Sequence, residues 1–463
     1  MKKVHLNIED IFNLPGSEIF EPDKLKNIDY VSIDSRKIKP KTLFIALKGE
    51  RFDGHNFAKD AIKNGAAAIV INKKRLNQFN DAKVPIVTVK DTKLALGDIA
   101  RIWRKKIEAK IIGITGSSGK TTVKDMLAQL LSEKYKVNKT EANNNNHIGV
   151  PITILNTNET HQVLVAELGT NHFGEIPYTA SIISPDYSLI TNIGDSHLEF
   201  LKTRNGVWKE KSFLFEETIR NGGKIFLNYD DPIIKEKHSR GGKLISYGFS
   251  GRVDVRGKIN SYTDDGKPVV SIEYKRKNYE LTLPIYGEQS AKNFLAACAV
   301  ALELGMSIEQ IKNALSNLKA PAGRLDVQRY KNFILIDDAY NANPDSAKAA
   351  IELVGRIKSF KRKILFFGDM LELGDRSVKL HQGLKDAIIN SRIDEVYTIG
   401  FRMKYLHERL DRTKLIAKHF TKRDALKSHI KNLNFDDSVI LVKGSRGMRM
   451  EEFVSEIKNK SIS

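Results

Sequence analysis

A glycine-rich segment, GITGSSGKTT at residues 113–122, has the residue types that bind a nucleoside triphosphate. Glycines let backbone N–H groups approach phosphate oxygens, and the N-terminus of a following helix adds partial positive charge. Lys120 would bridge the β- and γ-phosphates, while the Thr121 hydroxyl would hold Mg²⁺. We therefore predict that this phosphate loop binds ATP and Mg²⁺. The residues predicted to contact ATP here are Thr115, Gly116, Ser117, Ser118, Gly119, Lys120, Thr121 and Thr122.

The phosphate loop departs from the common G-x-x-x-x-G-K-[ST] pattern at its start. The position of the first glycine holds Ile114, and glycines stand instead at 113 and 116. A structural glycine-rich turn is the alternative interpretation. ATP binding is favoured because the segment lies between an apolar strand pattern and a helical pattern, which is the context that a phosphate loop requires.

Two other segments place polar side chains after apolar runs. AELGTNHFGEI at 166–176 supplies Glu167, and TNIGDSHLEFL at 191–201 supplies His197. In a doubly wound sheet the loops after parallel strands meet at the carboxyl edge, so both would lie beside the phosphate loop. Taken singly, a surface glutamate and a structural histidine are the alternatives. Together with the loop, they are predicted to be Mg²⁺ ligands that support phosphoryl transfer.

The shifted loop pattern, G-x-T-G-x-x-G-K-T, resembles that of the Mur ligases, which are ATP-dependent amide-forming enzymes of peptidoglycan synthesis, and of their folylpolyglutamate synthetase relatives. The resemblance implies that Glu167 and His197 hold Mg²⁺ ions bridging the γ-phosphate and a substrate carboxylate. It also implies a lysine carbamylated by CO₂ as a further metal ligand. In RNGVWKEKSFLF at 204–215, the spacing after the histidine aligns Lys211 with that lysine. Phe213 stands where the family usually has an acidic residue, which leaves Lys209 as an alternative.

An asparagine run, EANNNNHIGVPITIL at 141–155, resembles one branch of the family. That branch joins D-alanyl-D-alanine to UDP-MurNAc-tripeptide and carries N-x-N-N-x-I-G-x-P-x-T-x-L. Asn143, Asn145 and Asn146 match its asparagines, and Gly149 and Pro151 complete the frame. Neutral amides both donate and accept hydrogen bonds, which suits a loop that follows a diphosphate or a sugar. A plain surface turn is the alternative for the run in isolation.

The N-terminal part of the chain resembles the uridine-nucleotide domain of the same branch. VSIDSRKI at 31–38 supplies Ser35 and Arg36, and a second match is Asp53-Gly54-His55. The resemblance implies that Ser35 and Arg36 bind the UDP substrate, because an arginine can pair with a phosphate. A capping serine and a surface arginine are the alternatives.

The segment IDDAYNANPDSAKAA at 336–350 is the stretch most specific to this branch. The resemblance implies that Asp338 meets the nucleotide and that Tyr340, Asn341 and Asn343 dock D-alanyl-D-alanine. An ordinary strand, turn and well-capped helix is the alternative, and the sequence encodes that as well.

Three more segments complete the resemblance. Arg324 matches the arginine that reaches the γ-phosphate when the domains close, and GDMLELG at 368–374 matches a family segment. In LVKGSRGMRMEEF at 441–453, the possible contacts to the dipeptide carboxylate are Lys443, Ser445 and Arg446. In YGEQSAKNF at 286–294, Asn293 is expected to contact adenine or ribose, but Gln289 and Ser290 replace the usual His and Asn.

The elements that position these residues form an α/β chain of three domains. A length of 463 residues favours roughly three domains at about 150 residues each. We predict an N-terminal α/β domain at 1–106, a central P-loop ATPase-like domain at 107–319 and a C-terminal Rossmann-like, doubly wound domain at 320–463. The central domain combines a parallel sheet with a small antiparallel addition, because the apolar period changes to two at 252–284, around a turn at Asp264-Asp265-Gly266. Predicted strands lie at 30–33, 43–47, 68–71, 86–89, 110–115, 162–167, 187–192, 224–228, 333–337, 363–367, 396–399 and 438–442, and predicted helices at 57–64, 121–135, 347–357 and 451–457.

Composition limits the location and the partners. The net charge of +20 attracts polyanions, but the lysines are spread over the chain, so we expect no nucleic-acid partner. There is no apolar run near the ~18 residues of a membrane span, and the N-terminal MKKVHLNIED has no apolar signal region, so we expect a cytoplasmic monomer without membrane insertion. The single cysteine, Cys298, lies on an apolar helical face and is interpreted as core.

The predicted reaction is amide-bond formation. ATP would phosphorylate the terminal carboxylate of UDP-MurNAc-tripeptide, and the amine of D-alanyl-D-alanine would attack the acyl phosphate to give UDP-MurNAc-pentapeptide. A Mur-type or folylpolyglutamate-like ligase with another acceptor is one alternative. A nucleic-acid-dependent NTPase is the alternative from a different class.

Overall fold

Three helix-covered β-sheets follow one another along the part of the chain that the structure describes. The structure is a computed structural model and describes residues 1–50, 52–237 and 242–460. This arrangement confirms the predicted α/β fold. Within the described residues, no helix is both long and apolar enough to cross a membrane.

The N-terminal sheet has five strands. Its elements are α1 (Ile8–Phe12), β1 (Glu18–Phe20), β2 (Tyr30–Ser32), β3 (Thr42–Ile45), α2 (Ala58–Lys63), β4 (Ala68–Asn72), β5 (Ile86–Val89) and α3 (Thr92–Arg104). The strand order is β1-β5-β4-β3-β2, and only the edge strand β1 is antiparallel to its neighbour. The predicted strands at 30–33, 43–47, 68–71 and 86–89 are confirmed to within two residues at each end.

Helix α3 joins this sheet to the central domain. Asp91 caps its N-terminus by accepting from Lys93 N at 2.7 Å, and its apolar face includes Leu96 and Trp103. Those side chains belong to one continuous apolar cluster that extends to Ile154 and other residues of the next domain. The Trp103 indole N–H also donates to the Thr157 carbonyl at 2.7 Å. The first two domains therefore share a single core.

The central sheet has nine strands. Its elements are β6 (Lys110–Thr115), α4 (Lys120–Leu131), β7 (Val137–Lys139), α5 (Gly149–Leu155), β8 (Val163–Glu167), α6 (Glu175–Ile183), β9 (Tyr187–Ile190), α7 (Leu198–Leu201), α8 (Arg204–Arg220), β10 (Lys224–Asn228), α9 (Pro232–Lys237), β11 (Lys243–Gly248), β12 (Val255–Tyr262), β13 (Pro268–Tyr274), β14 (Lys277–Thr282), α10 (Gly287–Glu303) and α11 (Ile308–Leu315). The strand order is β14-β13-β12-β11-β10-β9-β6-β8-β7, and only β12, β13 and β14 pair antiparallel.

The antiparallel addition confirms the change of period at 252–284, with one difference. The predicted hairpin between β12 and β13 turns at Gly266, which has a φ of +91°, but β14 adds a third strand. Helices α4 and α10 cover one face of the sheet, and Cys298 is fully buried there, as predicted.

The third sheet has six strands. Its elements are β15 (Asp326–Arg329), β16 (Phe333–Asp338), α12 (Pro344–Arg356), β17 (Arg362–Gly368), α13 (Ser377–Gln382), α14 (Lys385–Asn390), β18 (Glu395–Ile399), α15 (Met403–Leu410), β19 (Ile416–Phe420), α16 (Arg423–Asn432), β20 (Ser438–Lys443) and α17 (Glu451–Lys460). The order is β15-β16-β20-β17-β18-β19, parallel except for the edge strand β15, and helices lie on both faces. This confirms the doubly wound prediction. The limits 106 and 319 stay a prediction, and they fall between α3 and β6 and between α11 and β15.

The carboxyl ends of the parallel strands set the position of the site. In the central domain β6, β8 and β9 end at one edge, and in the third domain β16, β17 and β20 do the same. The two edges meet: the Asn343 side chain donates to the Ser117 carbonyl at 3.5 Å, and Arg376 pairs with Asp195 at 3.0 Å. Side chains from both domains therefore surround one space.

Candidate active site

A cavity of about 470 Å³ lies between the central and third domains. Segments of the phosphate loop, the asparagine run and the third-domain strand ends all line it. The sequence-predicted residues that line the cavity are Ser117, Ser118, Gly119, Lys120, Thr122, Asn143, Asn145, Asn146, Glu167, His197, Asn293, Arg324, Asp338, Tyr340, Asn341, Asn343, Lys443, Ser445 and Arg446.

Four predicted residues of the central domain are not among the residues that line the cavity. Thr115 is buried and its hydroxyl donates to the Leu168 carbonyl at 2.8 Å, so it fixes the loop from below. Gly116 packs against Thr191. Thr121 lies in the first turn of α4 and is not one of the lining residues. Lys211 is fully buried and does not line the cavity.

Ser35 and Arg36 lie in the N-terminal domain, outside this cavity. The Ser35 carbonyl accepts from the Asn64 side chain at 2.9 Å. The Arg36 side chain is 86% exposed and donates to Asp34 at 2.9 Å, and this hydrogen bond lowers the pKa of Asp34 to about 2. Their predicted contact with a uridine nucleotide stays a prediction.

The phosphate loop is shaped by its own backbone before any ligand binds. Gly119 begins α4 with a φ of +80°, a left-handed conformation that glycine adopts without strain. A side chain there would also meet the Asn293 amide oxygen at 2.6 Å. The Lys120 ammonium donates to the Gly116 carbonyl at 2.7 Å, and burial lowers its pKa. The loop is therefore closed around its lysine at the helix N-terminus, as an anion site requires.

One oxygen of the Glu167 carboxylate has no hydrogen-bond partner in the part of the chain that the structure describes. It is 1% exposed, and Oε1 accepts from the Asn145 side chain at 2.8 Å, so the asparagine run holds it in place. Its Oε2 is buried and has no hydrogen-bond partner among the described residues. Buried carboxylate oxygens normally have a partner, and Mg²⁺ prefers oxygen ligands of this kind. This oxygen therefore fits a Mg²⁺ ligand, although no three His, Cys, Asp or Glu side chains form a metal-binding cluster among the described residues.

His197 reaches the cavity from a strained turn. Its φ is +52°, and its Nδ1 lies 2.6 Å from Glu372 Oε2 of the third domain. Burial lowers the pKa of His197, with smaller effects from Lys211 and Lys120 in the same direction, while Glu372 opposes the shift. If Nδ1 of a neutral imidazole donates to Glu372, Nε2 is left with a lone pair that can bind a metal ion.

Lys211 has no hydrogen-bond partner within the described part of the chain. Its Nζ is buried and unpaired among the described residues, and burial lowers its pKa well below the usual range. The adjacent Glu210 is bonded instead to the backbone N–H groups of Gly174 and Ile176, at 2.8 and 2.7 Å. A neutral amine is the form that reacts with CO₂, so the environment of Lys211 suits carbamylation.

The third-domain side of the cavity contains positively charged side chains and the aromatic ring of Tyr340. Asp338 is buried and pairs with Lys443 at 2.5 Å; burial raises the pKa of Asp338, and Lys443 opposes that shift. The Arg324 and Arg446 guanidinium groups lie 4.2 and 5.4 Å from the centre of the Tyr340 ring. Lys443 is thus held by Asp338, whereas both arginines flank an aromatic surface in the cavity.

Amides and a hydroxyl complete that wall. Asn343 caps α12 by accepting from Ser346 N at 2.8 Å, as its sequence context predicts, and also reaches the phosphate loop. The Asn341 Oδ1 accepts from Arg446 N at 3.3 Å, and the Ser445 hydroxyl donates to the Ala342 carbonyl at 3.2 Å. These contacts hold the segment 338–346 against 443–446.

Several residues in or beside the site were not predicted from sequence, and three of them hold predicted residues or domains in place. Asn192 accepts from Ser118 N at 3.0 Å and so fixes the phosphate loop. Asp195 is bonded by Arg204 of its own domain and by Arg376 of the third. Glu372 holds His197. Asp195 and Glu372 lie in segments that the family pattern contains, but nothing in the chain order shows that they meet across the domains.

The fold and the site define an ATP-dependent ligase. Family models match residues 27–104 (Mur ligase family, catalytic domain), 114–301 (Mur ligase middle domain) and 323–446 (Mur ligase, glutamate ligase domain). Together with the relatives below, they establish that the chain belongs to the Mur ligase family.

Within the family, the similar proteins include UDP-N-acetylmuramoyl-tripeptide–D-alanyl-D-alanine ligases. Those of Escherichia coli and Bacillus subtilis are 36% and 34% identical, over 97% and 94% of both chains. A crystal structure of MurF from Acinetobacter baumannii is 29% identical, covers 99% of this chain and 100% of its own, and superposes with a TM-score of 0.88. MurF from Thermotoga maritima in complex with ADP is 27% identical, covers 94% and 98%, and has a TM-score of 0.83.

Proposed function

We propose that the chain joins D-alanyl-D-alanine to UDP-MurNAc-tripeptide at the expense of ATP, in peptidoglycan synthesis. The observation that carries this proposal is the full-length likeness to ligases with that substrate pair, at 34 to 36% identity over at least 94% of the chain. The cavity between the domains supports it, because the phosphate loop and the segment 338–346 face each other there.

In the first step the terminal carboxylate of the tripeptide attacks the γ-phosphate of ATP, giving an acyl phosphate and ADP. Lys120 lies in the phosphate loop, and Arg324 lies across the cavity, so both can stabilise charge on the transferred phosphoryl group. Mg²⁺, held by Glu167, His197 and a carbamylated Lys211, would screen the repulsion between the two anions. Thr121, in the first turn of α4 directly after Lys120, would be the phosphate-loop ligand of the ion.

In the second step the amine of D-alanyl-D-alanine attacks the acyl carbon, and phosphate leaves. Tyr340, Asn341 and Asn343 line the third-domain side of the cavity, where amides and a phenol can orient a zwitterion. Of the two positively charged residues in the segment 443–446, Arg446 is better placed for the dipeptide carboxylate, because Lys443 is already paired with Asp338. Asp338 and Asn293 would contact the nucleotide.

The UDP end of the donor would extend towards the N-terminal domain. Asn143 and Asn146 line the cavity on the side of the asparagine run, and Asn145 is bound to Glu167. Ser35 and Arg36 would hold the uridine nucleotide beyond it. We propose that the enzyme acts in the cytoplasm, where its nucleotide substrates are found, and that it acts as a monomer, since this chain alone supplies a phosphate loop, an asparagine run and the segment 338–346 around one cavity.

The test is product formation from UDP-MurNAc-tripeptide, ATP and D-alanyl-D-alanine, followed by chromatography and mass spectrometry. We expect UDP-MurNAc-pentapeptide and ADP, no product with single amino acids, and no stimulation of ATPase activity by RNA or DNA. Lys120→Ala should lower kcat about 10²- to 10³-fold while the circular dichroism spectrum is unchanged. Wild-type enzyme that releases ADP only with another acceptor would contradict the assignment.

A further inference from the structure

Glu372 contacts the proposed metal site from the opposite domain. It follows β17 in the segment 368–374, has a left-handed φ of +63°, and lines the cavity. Its Oε2 lies 2.6 Å from Nδ1 of His197, whose own φ is +52°. The Glu372 carbonyl also accepts from Glu199 N at 3.3 Å. Two residues in conformations that side chains rarely adopt thus meet across the domain boundary.

The contact fixes which ring nitrogen faces the cavity. An ionised carboxylate only accepts hydrogen bonds, so Nδ1 of His197 carries a proton, and in the neutral ring Nε2 then presents its lone pair. A histidine that binds a metal usually donates its other ring N–H to a carboxylate in this way, which fixes the ring orientation.

The other carboxylates of the cavity differ in where their partners lie, and Glu175 is bonded to the backbone of Asn171 and His172 in its own domain. Glu167 is held by Asn145 of its own domain, and Asp338 by Lys443 of its own domain. Asp195 binds Arg204 of its own domain in addition to Arg376 of the third. His197 depends on Glu372, which only the third domain supplies.

We propose that Glu372 is a positioning residue that couples domain closure to metal binding: it orients His197 as a Mg²⁺ ligand only when the third domain is closed. This inference rests on the proposed function, since it takes His197 to be a ligand of the catalytic metal. The metal site would then be complete only when the acceptor-binding wall is in place, which prevents phosphorylation of the donor in the open enzyme.

Closure and orientation can be separated experimentally. The closed arrangement is held independently by Arg376 with Asp195 at 3.0 Å and by Arg204 near Asp345 at 3.9 Å. Removal of the Glu372 side chain therefore leaves those contacts in place. Asp375 is an exposed acid of the same loop and provides a matched control of equal charge.

The experiment measures binding of Mn²⁺, as a paramagnetic probe, to the full-length protein with a non-hydrolysable ATP analogue. Electron paramagnetic resonance counts free Mn²⁺, and X-ray scattering of the same samples reports closure. We expect Glu372→Ala to weaken Mn²⁺ binding about tenfold. Glu372→Gln, whose amide oxygen still accepts from Nδ1, should weaken it less, and Asp375→Asn should leave it unchanged. Glu372→Ala should add no further loss to His197→Ala.

Two results would overturn the proposal. One is wild-type Mn²⁺ affinity in Glu372→Ala. The other is an equal loss in the Ala and Gln variants together with an increased radius of gyration, since that pattern identifies a simple closing contact. Ligation assays of the wild type with D-alanyl-D-alanine test the proposed function separately, because Mn²⁺ binding does not require product formation.

Discussion

Lys120 and Lys211 both have lowered pKa values, but they differ in what they contact. Lys120 is bonded to a carbonyl of the phosphate loop and lines the cavity, so its charge is available to a phosphate. Lys211 is buried without a partner among the described residues, and an ammonium there would be destabilising. The first residue suits charge stabilisation and the second suits chemical modification.

The buried amine of Lys211 predicts a pH-dependent stability. Its folded-state pKa lies well below that of the unfolded chain, so the unfolded state binds the extra proton, and stability rises as pH increases toward the ordinary lysine pKa. Lys211→Met binds no proton. In CO₂-free, metal-free buffer we therefore expect its stability advantage over wild type to be largest at low pH and to shrink toward pH ~10. Urea unfolding across that range measures it.

Addition of bicarbonate provides the matching control. Carbamylation stabilises only the folded state that carries Lys211, so wild type should gain stability and Lys211→Met should not. The exposed Lys209→Ala variant should respond like wild type. Parallel pH profiles for wild type and Lys211→Met would contradict the assignment of an uncharged amine.

The strand–loop–helix unit from β6 to α4 is the element on which nucleotide binding depends. Gly116 has a φ of +150° and lies against Thr191, and Gly119 opens α4 against Asn293. The Thr191 hydroxyl also donates to the Ser118 carbonyl at 2.5 Å. The turn is therefore tight on both sides, which explains why glycine is required at both positions.

A side chain at position 116 should disrupt this element. The Cβ of Gly116→Ala would collide with the Thr191 hydroxyl, in a backbone conformation that costs about 1–3 kcal/mol for a residue other than glycine. We expect loss of stability beyond that range and weaker nucleotide binding, measured by urea unfolding and by titration with a fluorescent ATP analogue. Gly222→Ala, with a φ of +71° but no neighbour within 4 Å among the described residues, controls for backbone strain alone. Equal losses in both variants would contradict the packing argument.

Sequence patterns predicted most of the buried parallel strands, but they missed edge strands, the interior strand β11 and the buried helix α3. Strands β6, β8 and β16 are continuous apolar runs because both faces of a parallel sheet are covered. The edge strand β19 (Ile416–Phe420) was missed because only its last residue is buried. β14 was hidden in the polar KNYELT, where Leu281 alone is buried.

The residues of the candidate site also fall into a predictable group and an unpredictable group. Glu167 and His197 could be placed beside the phosphate loop because topology brings strand ends together, and both line the cavity. Partners that come from another domain, such as Glu372 and Arg376, could not be assigned, since no spacing in the chain encodes a contact between separately folded sheets.

At the scale of the whole molecule, a charged network holds the third domain closed. Asp195 is 5% exposed and binds both Arg204 and Arg376, while Asp345 lies 3.9 Å from Arg204. An enclosed carboxylate shared by two domains contributes more than an exposed ion pair, because water screens it less. The network therefore favours the closed arrangement.

Arg376→Ala should shift the molecule toward open forms. Loss of about 1 kcal/mol changes the ratio of closed to open molecules about fivefold, and we expect a larger radius of gyration by X-ray scattering together with a lower kcat. Raised ionic strength should produce a smaller change of the same sign in wild type. Arg412→Ala, which removes an exposed arginine from the same domain, should leave both quantities unchanged. An unaltered scattering curve for Arg376→Ala would contradict the role of this contact.

The apolar cluster that α3 shares between the first two sheets has a thermodynamic consequence. Leu96, Ile99 and Trp103 are at most 1% exposed only because residues of both sheets cover them. Neither sheet can melt without uncovering the other's interior, so the two should unfold in one cooperative transition. A fragment cut after residue 104 would expose this helix to water and would be prone to aggregate instead of behaving as an autonomous module.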